Sequence, residues 1–301
     1  MARYRFHTLD VFTDKQFGGN PLAVVLDADA LDVAQMQKIA AEFNLSETVF
    51  VLKPAQAGTN RRKLRIFTPQ SELPFAGHPT VGTSYLLAAL HLVEVSPADP
   101  VMVLEEGVGD VPVTVNFDKG SLVSTRMSVP KMPERGPEPP PREKLAAMLS
   151  LAEADLFPGP AAWSCGVPFL FLPVRDRAAI ARARLRMDLW EELLSGWWAR
   201  NLFPFTTDTV SGNAQVHARV FAPALGVAED PATGAAACAL AGFLHDWSPD
   251  SNRRHWRIEQ GFEMGRPSHI ELETDFADGR ITGVRVGGTS VLVSEGWMNV
   301  G

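Results

Sequence analysis

Two stretches of the chain pass from polar turn residues into long apolar runs, and they do so in the same way. One reads Phe75-Ala76-Gly77-His78-Pro79-Thr80-Val81-Gly82 and continues through Tyr85-Leu86-Leu87-Ala88-Ala89-Leu90. The other reads Ala228-Glu229-Asp230-Pro231-Ala232-Thr233-Gly234 and continues through Ala237-Cys238-Ala239-Leu240-Ala241-Gly242-Phe243-Leu244. Each presents a titratable residue, Pro, two residues and Gly before the apolar run. The first turn of a helix has no partner for the N–H that Pro lacks. Each stretch therefore predicts a helix start with an ionisable side chain at or near its N-cap, the first helix running from about Pro79 to Leu92. Neither helix has a polar face, and such a helix must be enclosed by other structure.

The surrounding pattern is mostly strand-like. Arg5–Phe12, Leu22–Leu26, Thr48–Leu52, Lys63–Thr68 and two runs within Met102–Phe117 predict strands in the first half. Between them, Asp32 and Gln35 form a capping box for a helix with Val33, Met36, Ile39, Ala40 and Phe43 at helical spacing, and Asn44 stands at its end. Six prolines between Pro130 and Pro141 mark a stiff linker. The second half repeats the plan: helices near Arg142–Leu149 and Leu189–Arg200, strands at Pro168–Val174 and Val216–Phe221, and a β-rich tail with a hairpin turn at Asp278-Gly279. The economical architecture is α+β. Two similar domains each wrap a curved sheet around one central apolar helix, and both helix starts face an interdomain cleft.

Composition narrows the class. The 301 residues are 46% hydrophobic and 21% charged, as expected of a folded protein with room for two domains. A net charge of −7 argues against nucleic acid or an anionic membrane surface as the main partner. No signal-peptide core or membrane-length apolar run occurs, so the expectation is a soluble cytoplasmic protein. The two cysteines, Cys165 and Cys238, have no paired ligand spacing, so no metal site is expected. Dinucleotide, Walker, nucleophile-elbow and His-Glu-x-x-His motifs are absent.

The candidate chemistry lies at the helix starts. His78 is a poor helix cap, which suggests another duty, although a partly buried His bonded to a backbone carbonyl accounts for it too. Asp230 caps well without any catalytic role. Glu47, between a helix end and the apolar Thr48–Leu52 run, reads either as a loop carboxylate or, if desolvated, as a base. Asn20, in Gly19-Asn20-Pro21, serves a turn or a ligand. Gly82, Thr83, Gly234 and Ala235 either admit a ligand to backbone N–H groups or permit tight packing. Glu229 reads as a solvated charge or an ion-pair partner.

Asn44-Leu45-Ser46-Glu47-Thr48-Val49-Phe50, Leu73-Pro74-Phe75-Ala76-Gly77-His78-Pro79-Thr80-Val81-Gly82 and Glu229-Asp230-Pro231-Ala232-Thr233-Gly234 together resemble the phenazine-biosynthesis-like (PhzF) family. Further matches are Phe17-Gly18-Gly19-Asn20-Pro21, Gly166-Val167-Pro168-Phe169 and Gln260-Gly261-Phe262-Glu263-Met264-Gly265-Arg266-Pro267. The resemblance implies a diaminopimelate-epimerase-like fold of two pseudo-symmetric domains, 1–128 plus 283–301 and 129–282, with the last strands returning to the first. It implies a homodimer that needs no cofactor and isomerises a small anionic substrate. The family's namesake moves a proton between ring carbons of a carboxylated amino-hydroxy-cyclohexadiene. By the same resemblance, Glu47, His78 and Asp230 are the catalytic candidates; Asn20, Ser46, Gly77, Gly82, Thr233, Gly234 and Ala235, at the turn and the two helix starts, are the candidate substrate-binding residues. The family commonly has Ser where this chain has Ala235, which removes one side-chain donor. Two alternatives stand beside this reading. One is a two-thiol racemase, which would need a Cys at each helix start; the other is a non-catalytic binder that kept the fold.

Overall fold

The computed structural model describes residues 2–247 and 254–301. By its internal contacts the chain divides into two compact units, one of residues 1–130 with 287–301 and one of residues 131–286. Among the described residues, no helix is long and apolar enough to cross a membrane.

The first unit is built from β1 (Ala2–Val11), β2 (Asn20–Val25), α1 (Val33–Phe43), β3 (Glu47–Leu52), β4 (Arg61–Phe67), β5 (Glu72–Leu73), α2 (Gly77–Ala89), β6 (Val101–Glu106), β7 (Gly109–Asp118) and β8 (Ser121–Ser128). The chain's final strand, Ser290–Val300, joins it by pairing antiparallel with β1. On the other side of β1 the order is β2, β3, β4, β6, β7 and β8, mostly antiparallel, with parallel steps at β2–β3 and β4–β6. α1 begins at Asp32 with the expected reciprocal capping box and ends at Asn44 in the left-handed conformation.

α2 is the core of this unit. It packs on β1, β2, β3, β7, β8 and the final strand, and Val81, Leu86 and Leu87 are fully buried. Each such side chain contributes on the order of 1.5–3 kcal/mol from removal of apolar surface from water. Gly82 allows the close approach. A Cβ there would lie 2.5 Å from Val11 Cγ2 and 2.8 Å from Leu22 Cδ2. α2 starts two residues earlier than the proline suggests, with Ala76 as N-cap, Gly77 first and His78 second. Pro is tolerated anywhere in the first turn, so it marks that turn and not the cap.

The second unit contains β9 (Glu134–Arg135), α3 (Arg142–Met148), β10 (Ala161–Ser164), β11 (Pro168–Pro173), α4 (Arg177–Arg182), α5 (Met187–Leu194), β12 (Asn201–Thr206), β13 (Val216–Ala218), β14 (Val220–Ala222), β15 (Val227–Asp230), α6 (Gly234–Trp247), β16 (His255–Gln260), β17 (Ser268–Ala277) and β18 (Arg280–Gly288). α6 packs on β9, β10, β11 and β17. Its Gly242 leaves room for Trp163, whose Cε3 would lie 2.3 Å from an added Cβ. The helix expected at Leu189–Arg200 is shorter than its spacing suggests. Ser195 Oγ turns back to the Glu191 carbonyl and Gly196 follows, so Trp197 and Trp198 fall outside it. The strand expected at Val216–Phe221 is broken at Arg219 into β13 and β14. Asp278 and Gly279 both take positive φ between β17 and β18, as a tight hairpin turn requires.

The two units therefore share one α+β plan, in which a mostly antiparallel sheet surrounds a helix that is apolar nearly all round.

Candidate active site

In the first unit, the parallel register of β2 and β3 sets Glu47 opposite Leu22. Pro21 immediately precedes Leu22, and Asn20, which opens β2 opposite Val11, is fully buried. α2 brings His78 to this corner. A ring N–H of His78 donates to the Pro21 carbonyl, and burial drives the imidazole pKa down to about 3, so the ring is neutral. His78 Nε2 makes no hydrogen bond of its own and faces Glu47 Oε2 at 3.5 Å.

With one ring nitrogen carrying its proton toward Pro21, Nε2 offers a lone pair to a carboxylate oxygen that also offers lone pairs. The contact is longer than a formed hydrogen bond. A proton placed on Glu47 would convert it into one. The pair is thus a carboxyl group that can accept a proton beside a neutral acceptor that shares it. Gly77 and His78 occupy the first two positions of α2, where backbone N–H groups have no partner within the helix. Gly82 is the sixth residue, beyond that turn, and its missing side chain serves packing against β1 and β2. Ser46 is half-buried just ahead of Glu47.

The second unit orders a different carboxylate. Asp230 is not the N-cap of α6; it ends β15, paired with Val220, and the helix begins four residues later at Gly234. Ser268 Oγ donates to the Pro231 carbonyl. Gly261 lies so close that an added Cβ would be 2.6 Å from that oxygen, so Pro231 is held in a turn outside the helix. Thr233 precedes the helix and its carbonyl receives the Ala237 N–H. Its hydroxyl donates to Asp230 Oδ2 at 2.5 Å.

Gln260 completes the arrangement. Its Nε2 donates to the Asp230 carbonyl at 2.7 Å and to Thr233 Oγ1 at 3.0 Å, while its Oε1 accepts the Thr233 N–H at 3.1 Å. The first-turn N–H groups of α6, those of Gly234 and Ala235, follow directly and lack partners within the helix. A fixed carboxylate beside such donors is suited to orienting an amine or hydroxyl together with an anionic group.

Other supports are visible only in three dimensions. Glu229 is gripped by the buried Arg219 through two contacts of 2.7 and 2.8 Å, and Arg219 Nη1 also donates to the carbonyls of Ile180 and Ala183. His217 lies between Glu259 and Glu263, 3.0 Å from each. Burial opposes its charge, but the hydrogen bonds to both glutamates prevail and raise its pKa to about 9. Gln260 belongs to a motif visible in the sequence, but nothing in its spacing marks it as the partner of Asp230 and Thr233. Neither cysteine stands at a helix start. Cys238 lies inside α6, and burial raises both thiols, Cys165 to about 12, so thiolate chemistry is disfavoured.

Comparisons with known proteins agree with this architecture. The family model described as phenazine biosynthesis-like protein matches residues 9–296. The chain is 42% identical to an uncharacterized isomerase of Mesorhizobium japonicum, covering 95% of this chain and 96% of the relative. It is 35% identical to trans-2,3-dihydro-3-hydroxyanthranilate isomerase of Pseudomonas aeruginosa, covering 97% and 98%. Among solved structures, a PhzF-family protein of Bacillus anthracis superposes with a TM-score of 0.88 at 26% identity over the whole of both chains. A probable proline racemase of Agrobacterium radiobacter shares the fold alone, with a TM-score of 0.62 at 11% identity, covering 99% of this chain and 93% of that one. The chain belongs to the phenazine biosynthesis-like (PhzF) family of isomerases.

Proposed function

We propose that the protein is a cofactor-independent isomerase that moves a proton between two carbons of a small, carboxylate-bearing, cyclic amino-hydroxy acid. Glu47 is the acid/base. Its carboxylate takes a proton from an activated carbon, the electron pair shifts through the adjoining double bond, and the protonated Glu47, whose acid proton exchanges with solvent, delivers a proton to the second carbon. No bond to the protein forms and no oxidation occurs. His78 is neutral and accepts from protonated Glu47 through Nε2, which orients the acid between the two transfers. Such acid/base assistance contributes about 10²–10⁴-fold. Asp230, oriented by Thr233 and Gln260, is assigned to the substrate's amine or hydroxyl. The first-turn N–H groups of α2, the helix that carries His78, are assigned to its carboxylate.

The observation that supports this reading most strongly is the Glu47–His78 contact, with the ring tautomer set by Pro21 and its charge removed by burial. The likeness to trans-2,3-dihydro-3-hydroxyanthranilate isomerase makes that dihydroaromatic acid the first compound to assay. Glu47→Gln keeps the shape and removes the proton acceptor. Its turnover of this acid should fall at least 10²-fold while the affinity for the product changes little. Undiminished turnover in that variant would remove Glu47 from the reaction.

A further inference from the structure

A second buried carboxyl group lies beneath the first turn of α2, outside the proton-transfer pair. Glu106 closes β6 in the inward phase it shares with Met102 and Leu104, and it is 9% exposed. Its Oε1 lies 2.7 Å from Thr80 Oγ1, and its Oε2 is buried with no hydrogen-bond partner. Thr80 is fully buried, and its Oγ1 also lies 2.7 Å from the carbonyl of Ala76, the N-cap of α2.

The hydroxyl has one hydrogen and must satisfy both contacts. The Ala76 carbonyl can only accept, so the Thr80 hydrogen goes there. Glu106 must then donate across its own 2.7 Å contact, which only the protonated acid can do. A carboxylate in the same position would place two acceptors against each other and leave a charged oxygen buried without a partner.

We propose that Glu106 is a positioning residue. As a neutral acid it donates to Thr80, Thr80 donates to the Ala76 carbonyl, and this chain pins the turn that carries Gly77 and His78.

The surroundings agree. Burial raises the Glu106 carboxyl to about 8, against the opposing effect of the Thr80 contact. Of the nearby charged groups on β4, β6 and β7, Arg61 pairs with Glu105 and Asp110 and Lys63 is in register with Glu105, all on the opposite strand face, while Arg62, in register with Leu104 on the inward face, donates to the carbonyls of Arg61 and Leu92. On α2, His78 shares the first turn and stays neutral. Ionisation of Glu106 in mildly alkaline solution therefore removes the donor and frees the turn. The consequence for catalysis rests on the role proposed for Glu47 and His78; the hydrogen-bond chain does not.

The test is NMR on the full, substrate-free chain between pH 6 and 10, with ¹³C in glutamate carboxyls and ¹⁵N in histidine rings. Glu106→Gln and His78→Asn assign the two signals by their loss. Glu106 should read as an acid at pH 6 and titrate near 8, and the His78 ring signals should move with the same midpoint although that ring does not itself titrate. Glu106→Gln keeps a donor that never ionises, so its His78 signals should hold still across the range. Thr80→Val should displace them at every pH, and Thr80→Ser should restore them. An ionised Glu106 at pH 6, or an unchanged alkaline step in Glu106→Gln, overturns the proposal. Both readings survive a misfolded Thr80→Val. Should Glu47→Gln retain turnover, the catalytic reading fails while these signals still decide the role of Glu106.

Discussion

Replacing Gln260 by Leu removes the support of Asp230 without touching Asp230 itself. Gln260 is fully buried and of similar volume to Leu, so the change deletes hydrogen bonds and leaves the packing nearly intact. Lost are the bonds to the Asp230 carbonyl, to Thr233 Oγ1 and from the Thr233 N–H. A net contribution of about 1 kcal/mol per bond gives roughly 3 kcal/mol. Desolvation of the orphaned groups adds to this, and water reaching the half-buried Asp230 and Thr233 subtracts from it, so the expected loss is about 2–4 kcal/mol. The assay is urea unfolding followed by tryptophan fluorescence. Of the seven tryptophans, all but Trp297 fall in residues 131–286, so the signal reports the unit that holds Gln260. On the role proposed for Asp230, turnover should fall as well, because Asp230 keeps its charge but loses its fixed orientation. Destabilisation below about 0.5 kcal/mol would show that Gln260 is not the hub of this segment.

Arg219→Ala should destabilise the second unit by about 3–5 kcal/mol, read by the same unfolding curves, because Glu229 and two carbonyls lose a buried partner. Two histidines shape stability against pH in opposite senses. His217 is raised from 6.5 to about 9, so its contribution is full below 6.5 and is lost as pH rises through 9. His78 is lowered from 6.5 to about 3, so the folded state loses ground as pH falls from 6.5 toward 3. Unfolding free energies of His217→Gln should therefore lack the wild-type decline above pH 6.5, and those of His78→Asn should fall less steeply in acid. Ala235→Ser restores a hydroxyl at the start of α6 and should raise kcat/KM for trans-2,3-dihydro-3-hydroxyanthranilate about 3- to 10-fold, the worth of one hydrogen bond, in a steady-state assay.

What could be read from the sequence was local or repeated. The capping box of Asp32 and Gln35, the stop at Asn44 and the turn at Asp278-Gly279 depend on neighbours a few residues away, and all three form. The two enclosed helices were legible because an apolar run without a polar face has one solution. Their starts were misplaced for the same local reason, since proline marks a turn without saying which residue caps it. His78 is thus the second residue of α2, and Asp230 ends a strand. Glu47 has no distinguishing pattern of its own; the family resemblance singled it out, and β3 and α2 bring it to His78. Arg219 with Glu229, His217 with Glu259 and Glu263, and Gln260 with Thr233 depend on strand pairing across tens of residues, which no window of sequence carries. Glu106 had a usable signal in the alternation of β6, which places it on the same face as Met102 and Leu104.

The central claim is that a carboxyl group on β3 takes a proton from one substrate carbon and supplies one to another. Its most direct measurement is the reaction run in D₂O with trans-2,3-dihydro-3-hydroxyanthranilate, with the product's deuterium located by NMR. The account predicts deuterium at a single ring carbon, entering at the rate of turnover through exchange at Glu47, and none with Glu47→Gln. Binding of the acid to the wild-type protein with no product and no deuterium at carbon would contradict it.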